Sequence, residues 1–294
     1  MEVIYTVSQM QEVAESLRKA GQVIALVPTM GYLHDAHLKL MRVGKKHADK
    51  LIVSIFVNPI QFGPSEDFDR YPRDPEGDLE KARGVGADIV FMPSVEEMYP
   101  QGFQTTISVS QLSQHLCGLS RPGHFDGVAT VVCKLFNITK PHIAVFGQKD
   151  YQQLCIINRM VMDLNMDIKI IGVPTVREPD GLAMSSRNAY LTDEQRPSAL
   201  SLKKSLDLAT EMVRSGEQNA KKIIKAVREL IKSHPFTEID YVSICDPVTL
   251  EEIDTITDEA LLAIAVKIGG TTRLIDNCIL GKKHEQESDT VQSP

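Results

Sequence analysis

The sequence predicts an α/β protein, a doubly wound parallel sheet followed by a second, smaller α+β domain. Three observations lead there. Short runs of β-branched and apolar residues recur at residues 23–27, 51–57, 88–91, 142–146 and 167–173. Stretches with helical spacing lie between them, clearest where Leu154, Ile157, Val161 and Leu164 fall on one face. After about Val176 the texture changes to polar amphipathic helices and then to further strands. Near-continuous apolar strands separated by helices mark a sheet covered on both faces, and such sheets bind ligands beyond the carboxyl ends of their strands.

Taken in order, the five apolar runs are the strands of the first domain, expected over residues 1–176. In the second, expected over residues 177–283, Thr192 with Gln195 and Ser215 with Gln218 have the spacing of capping boxes, each introducing an amphipathic helix. The second of these helices carries Ile223, Ile224, Val227, Leu230 and Ile231 on its apolar side. Strand-like segments follow near residues 239–244 and 261–268, then a Gly269-Gly270 turn and a last strand over 273–280. Residues 284–294 are polar without periodicity and read as a flexible tail.

Composition narrows the function. The 294 residues carry 32 Lys and Arg against 39 Asp and Glu, a net charge of −7 that gives no long-range attraction for nucleic acid. The five cysteines are odd in number, widely spaced and without a C-x-x-C pair, so they read as reduced thiols. The N-terminus lacks a basic then apolar leader, and the longest strongly apolar run, residues 51–57, is too short to span a bilayer. The expectation is a cytoplasmic enzyme with no membrane and no nucleic-acid partner.

Four segments can carry chemistry. The first runs from the end of the first strand through Met30, Gly31, Tyr32, Leu33 and His34 into a helix starting near Asp35, Ala36 and His37. A strand, a glycine turn and a helix N-terminus make an anion site, and His34 and His37 share one face of the first helical turn. The same residues also allow a helix capped by Asp35 with two surface histidines. The second segment, Gly147, Gln148, Lys149, Asp150 and Gln153, again runs from a strand into a helix. It offers a close backbone approach, a phosphate-binding charge and an amide, or alternatively a capping box between Asp150 and Gln153. The third, with Met184, Ser185, Ser186 and Arg187, is a polar loop at the domain junction, able to close over a triphosphate or to serve as a linker. The fourth places Asn58 and Gln61 just past the second strand, where they can hydrogen-bond a hydroxylated acid. Asp78 can touch a magnesium ion or cap a helix before Leu79. The first, second and fourth segments all lie at the ends of expected parallel strands, which is where a site in this fold belongs.

These segments, together with Tyr71-Pro-Arg73 and the stretch from Arg121 to Val128, resemble the pantothenate synthetase family over most of the chain, from about Met1 to Lys283. The resemblance extends to the wider nucleotidylyl transferase group, whose Rossmann-like domain uses a histidine pair and a second phosphate-binding loop. It implies an AMP-forming ligase that joins pantoate to β-alanine, with ATP and Mg2+, acting as a homodimer. It further implies that residues 30–37 contact ATP with His37 as proton donor. Residues 147–150, Val176 and Met184, Ser185, Ser186 and Arg187 complete the nucleotide site. By the same resemblance Gln61 and Gln153 hold pantoate, and Gln61 also meets β-alanine. One departure is visible: the family pattern has glycine where this chain has Ala36. The rivals are a nucleotidyltransferase of the same fold that needs no amine, and a regulatory module that binds ATP without turnover.

Overall fold

A computed structural model of the chain describes residues 1–64 and 66–281; the tail expected over 284–294 lies outside them. Among the described residues, helices and strands, apart from short 3-10 turns, follow in the order β1 (Glu2–Ile4), α1 (Val7–Lys19), β2 (Ile24–Thr29), α2 (Asp35–His47), β3 (Lys50–Ile55), α3 (Pro75–Gly84), β4 (Ile89–Phe91), α4 (Val95–Met98), α5 (Cys117–Ser120), α6 (His124–Thr139), β5 (Ile143–Gly147), α7 (Tyr151–Asp163), β6 (Lys169–Val173), α8 (Arg196–Ala199), α9 (Ser201–Arg214), α10 (Ala220–Lys232), β7 (Thr237–Cys245), β8 (Ala260–Ile268) and β9 (Thr272–Leu280).

The first six strands form one parallel sheet in the order β1-β4-β3-β2-β5-β6. Both faces are covered, which is why the strands read as unbroken apolar runs. Along β2, Ile24 and Leu26 enter the core beneath α1, α6 and α7, while Ala25 and Val27 enter the core beneath α2 and α3. From β2 the chain builds outward through β3 and β4 in one direction, and from β5 to β6 in the other. The crevice between the carboxyl ends of β2 and β5 is therefore the topological switch point. The edge strand β1 went unread in the sequence, because three residues carry no periodicity.

The second sheet, β7-β8-β9, is antiparallel. Its last two strands are joined at Gly269 and Gly270, whose φ values of 60° and 74° suit a tight hairpin that side-chain-bearing residues disfavour. One face packs on α9 and α10 through Leu262, Ile264 and Val266. From the other face Leu261, Ala263 and Cys245 join the core of the large sheet. The two sheets thus meet along an apolar seam.

Several capping expectations are revised. Thr192 and Gln195 do exchange backbone-to-side-chain bonds, both 3.3 Å. Ser215, however, ends α9, and Gly216 beyond it has φ 97°. The cap of α10 is Asn219, whose side chain accepts the Lys222 N–H at 3.0 Å, while Glu217 accepts the N–H of Asn219 itself. Leu164 closes α7 and is 48% exposed rather than part of its buried face.

Candidate active site

Between β2 and α2 the backbone turns through Gly31 and Tyr32, both with positive φ (83° and 51°). The turn aims the N–H groups of Tyr32 and Leu33 at one carboxylate, Asp78, at 2.8 and 2.6 Å. A Cβ at position 31 would lie 2.9 Å from Asp78 Oδ2, so close approach as well as φ requires glycine. Lys81 completes the clamp by donating to Leu33 O at 2.9 Å. Asp78 is thereby the anion in a backbone nest, buried at 1% exposure. It is neither cap nor metal ligand. The helix α3 is capped by Asp74, which accepts the Gly77 N–H at 3.1 Å. Both Asp78 oxygens are committed to the turn, and no cluster of three or more His, Cys, Asp or Glu side chains among the described residues could hold a metal. Mg2+ does not fit Asp78. Burial raises the Asp78 carboxyl above its ordinary range, against the pull of the Leu33 and Tyr32 N–H groups.

With the turn held from behind, α2 begins at Asp35 and is led in by His34 rather than capped by Asp35. His34 and His37 stack at 4.1 Å between ring centroids. Burial, then the nearby charge of Lys149, pulls His34 down to about 4. Burial, then His34, Lys149 and Lys81, holds His37 well below the ordinary imidazole value. Both rings are neutral at pH 7. The His34 N–H donates to His37 Nδ1 at 3.3 Å, which leaves the single ring proton of His37 on Nε2. His34 Nδ1 is buried without a hydrogen-bond partner among the described residues.

At the end of β5 the chain passes through a 3-10 turn (Gln148–Asp150) directly into α7. The capping box open to Asp150 and Gln153 does not form, since Asp150 makes no side-chain cap bond. Lys149, Asp150 and Gln153 line the cleft instead. The neighbouring Gln152 behaves oppositely. It accepts from Cys117 N and donates to Leu112 O and His115 O, so its amide is structural.

Across the cleft, Arg187 grips Asp67 with two bonds of 2.9 and 2.7 Å and lies over the Tyr71 ring at 5.7 Å. Just past β3, Asn58 donates to Gln61 Oε1 and to Gly127 O, and accepts from the Tyr99 hydroxyl. Both Nδ2 hydrogens are spent and Oδ1 already accepts one bond, so Asn58, expected to contact pantoate, is tied to Gln61.

One cleft at the switch point gathers most of the expected residues: Met30, His34, Ala36, His37, Asn58 and Gln61 from one wall, Gly147, Lys149, Asp150 and Gln153 from the next, and Val176, Met184, Ser185, Ser186 and Arg187 opposite. Gly31, Tyr32, Leu33, Asp35, Gln148 and Asp78 do not line it. Of these, Tyr32 and Leu33 have their N–H groups occupied by Asp78. Sequence reasoning missed Asp67, the partner of Arg187, and an apolar wall of Phe56, Val128, Val131, Val132 and Leu135.

The family profile described as pantoate-beta-alanine ligase matches residues 2–279. The chain belongs to that family. As a member of the pantoate-beta-alanine ligases it is an enzyme, a ligase. Its similarity runs over whole chains. It is 59% identical over 280 residues to the pantothenate synthetase of Desulforapulum autotrophicum, covering 95% of this chain and 99% of the relative. It is 54% identical over 283 residues to that of Geobacter sulfurreducens, covering 96% and 100%. Among solved structures, pantothenate synthetase from Thermus thermophilus superposes with a TM-score of 0.89 at 42% identity, covering 95% of this chain and 99% of that one. The Francisella tularensis pantoate-beta-alanine ligase, solved with beta-gamma ATP and beta-alanine, gives 0.77 at 34%, covering 95% and 97%.

Proposed function

We propose that the chain condenses pantoate with β-alanine in two steps at this cleft, with ATP as Mg2+ complex the activating substrate. A pantoate carboxylate oxygen attacks the α-phosphorus, the bond to the bridging oxygen breaks, and pyrophosphate leaves a pantoyl adenylate. The neutral amine of β-alanine then attacks the acyl carbon, the bond to AMP breaks, and the nitrogen sheds a proton to give pantothenate. The observation that carries this reading is the meeting of His37, Lys149 and Arg187, from three distant segments, around one crevice that also holds Gln61 and Gln153.

Each part has a physical task. Lys149 and Arg187 balance charge growing on the pyrophosphate, and His37 donates from Nε2 as a neutral imidazole, a preorganised donor rather than a spare proton. Arg187 must exchange the Asp67 carboxylate for phosphate to do so. Gln61 and Gln153 suit the oxygens of pantoate, while the wall from Phe56 to Leu135 suits its geminal dimethyl group. Magnesium arrives on the phosphates, consistent with its preference for few protein carboxylates. Two copies per assembly and a cytoplasmic location complete the proposal. Among the described residues no helix is long and apolar enough to cross a membrane.

The decisive test mixes the enzyme with Mg-ATP and pantoate, omits the amine, and looks for the acyl adenylate by mass spectrometry. Its appearance, with AMP released only when β-alanine is added, is the expected result. Formation of ADP, or turnover without pantoate, would sink the reading. Sedimentation as a single-chain species would remove the dimer alone.

A further inference from the structure

We infer that Tyr99, which lies outside the cleft lining, is a positioning residue that acts through Asn58 to fix which end of the Gln61 amide faces the substrates. The inference rests on the reading of Gln61 as a residue that holds them.

A backbone carbonyl sets the polarity of the whole relay. Gly127 O can only accept, and it lies 3.1 Å from Asn58 Nδ2, so chemistry fixes which end of that amide is nitrogen. The other end, Oδ1, accepts the Tyr99 hydroxyl at 2.7 Å. The second Nδ2 hydrogen then meets Gln61 at 2.9 Å, and only Oε1 can accept it. Gln61 is left with Nε2 turned away from Asn58, 3.5 Å from the Met30 sulfur. A thioether is a weak acceptor that a carboxylate or hydroxyl oxygen readily displaces. The relay thus turns the donor end of Gln61 away from Asn58, the polarity that two oxygen-rich acids require.

Other contacts hold the Gln61 backbone, so the relay has a separable effect. His124 Nδ1 donates to Gln61 O at 2.8 Å, and its Nε2 lies 2.9 Å from the Arg121 guanidinium. The helix α6 closes on this segment at Gly127, where an added Cβ would lie 2.7 Å from Gln61 Cα and from Ile60 O. Tyr99 touches none of these groups through its hydroxyl. Its ring packs on Phe56 and Phe103, at 6.1 and 5.0 Å, and that packing survives loss of the oxygen. Without the hydroxyl, Asn58 Oδ1 is stranded in a site 1% exposed, and the amide gains by swinging away from its place.

The test is a double-mutant cycle read by steady-state kinetics, with thermal midpoints as a folding control. Tyr99→Phe should raise KM for pantoate about fivefold, the worth of one buried hydrogen bond, while KM for ATP stays at the wild-type value. Gln61→Ala should raise KM for pantoate further. In the Gln61→Ala background, adding Tyr99→Phe should change nothing more, because the hydroxyl acts only through that amide. Additive effects of the two substitutions, a parallel rise in KM for ATP, or wild-type kinetics in Tyr99→Phe would each overturn the relay. If Gln61→Ala alone leaves KM for pantoate unchanged, the assignment of Gln61 itself fails, a result distinguishable from the others.

Discussion

Two neutral imidazoles at the proposed phosphate site differ in kind from two cations. Stacked at 4.1 Å beside Lys149, His34 and His37 cannot both carry charge without a counter-ion, and burial penalises even one. What they offer is directed N–H donors that need no reorganisation. His37→Ala should slow pyrophosphate release about 100- to 1000-fold, the usual cost of one transition-state donor, with little change in thermal midpoint. Lys149→Met should move the His34 titration upward from about 4, only part of the way to its ordinary value because burial is the larger cause; the ring C–H resonances in an NMR titration would report it. Asp78 belongs to the same scale. Its removal leaves the Tyr32 and Leu33 N–H groups buried and unpaired, so Asp78→Ala should cost several kcal/mol, about 1–3 for each donor, and slow adenylation as the histidine turn loosens. Raising the magnesium concentration should not restore the rate. Restoration would revive the metal-ligand role that the geometry of this carboxylate disfavours.

At the scale of elements, five of the six strands of the large sheet were legible because burial on both faces leaves an unbroken apolar run, as in residues 51–57, which no helix of that length would need. The hairpin at Gly269 and Gly270 was legible because backbone sterics act locally. The His34–His37 turn could be placed for the same reason, since glycine, a helix start and the end of a strand are adjacent in the chain. What could not be read were partnerships across the chain. Nothing local to Asp67 announces Arg187, and nothing near Asp78 announces the N–H groups of Tyr32 and Leu33. Capping sits between these cases: Ser215 and Asn219 are both plausible caps by type, and the choice fell to the one that follows the glycine exit from α9. Asn219→Ala should therefore lower the urea-unfolding free energy by about 1 kcal/mol. Ser215→Ala should stay within about 0.5 kcal/mol of wild type. The reverse order would show that the helix boundary is set at Ser215.

For the molecule as a whole, neutral buried histidines tie stability to pH. His124 belongs with His34 and His37. Burial, then the charge of Arg121, pulls it down to about 4. Its Nδ1 proton bonds Gln61 O, so Nε2 must accept from Arg121, and a proton on that nitrogen would face the guanidinium directly. In the unfolded chain all three rings titrate near about 6.5. Their folded values lie below that, so the unfolded state takes up protons first as the pH falls. The stabilisation they provide is complete above about pH 6.5 and is lost progressively as the solution approaches the folded value, about 4 for His34 and His124. Carboxylates held low by partners, such as Glu66 by Arg121 and Asp67 by Arg187, lose their contribution only at still lower pH, because their ordinary values already lie near about 4. The two windows can therefore be separated. Urea midpoints should stay nearly level from about pH 7.5 to 6.5 and fall from there to about pH 5, each histidine adding up to about 1.4 kcal/mol per pH unit, and His124→Asn should flatten that fall. A midpoint that stays level across that interval would mean that these rings accept protons without leaving their contacts, and the neutral-donor account of His37 would have to be given up with it.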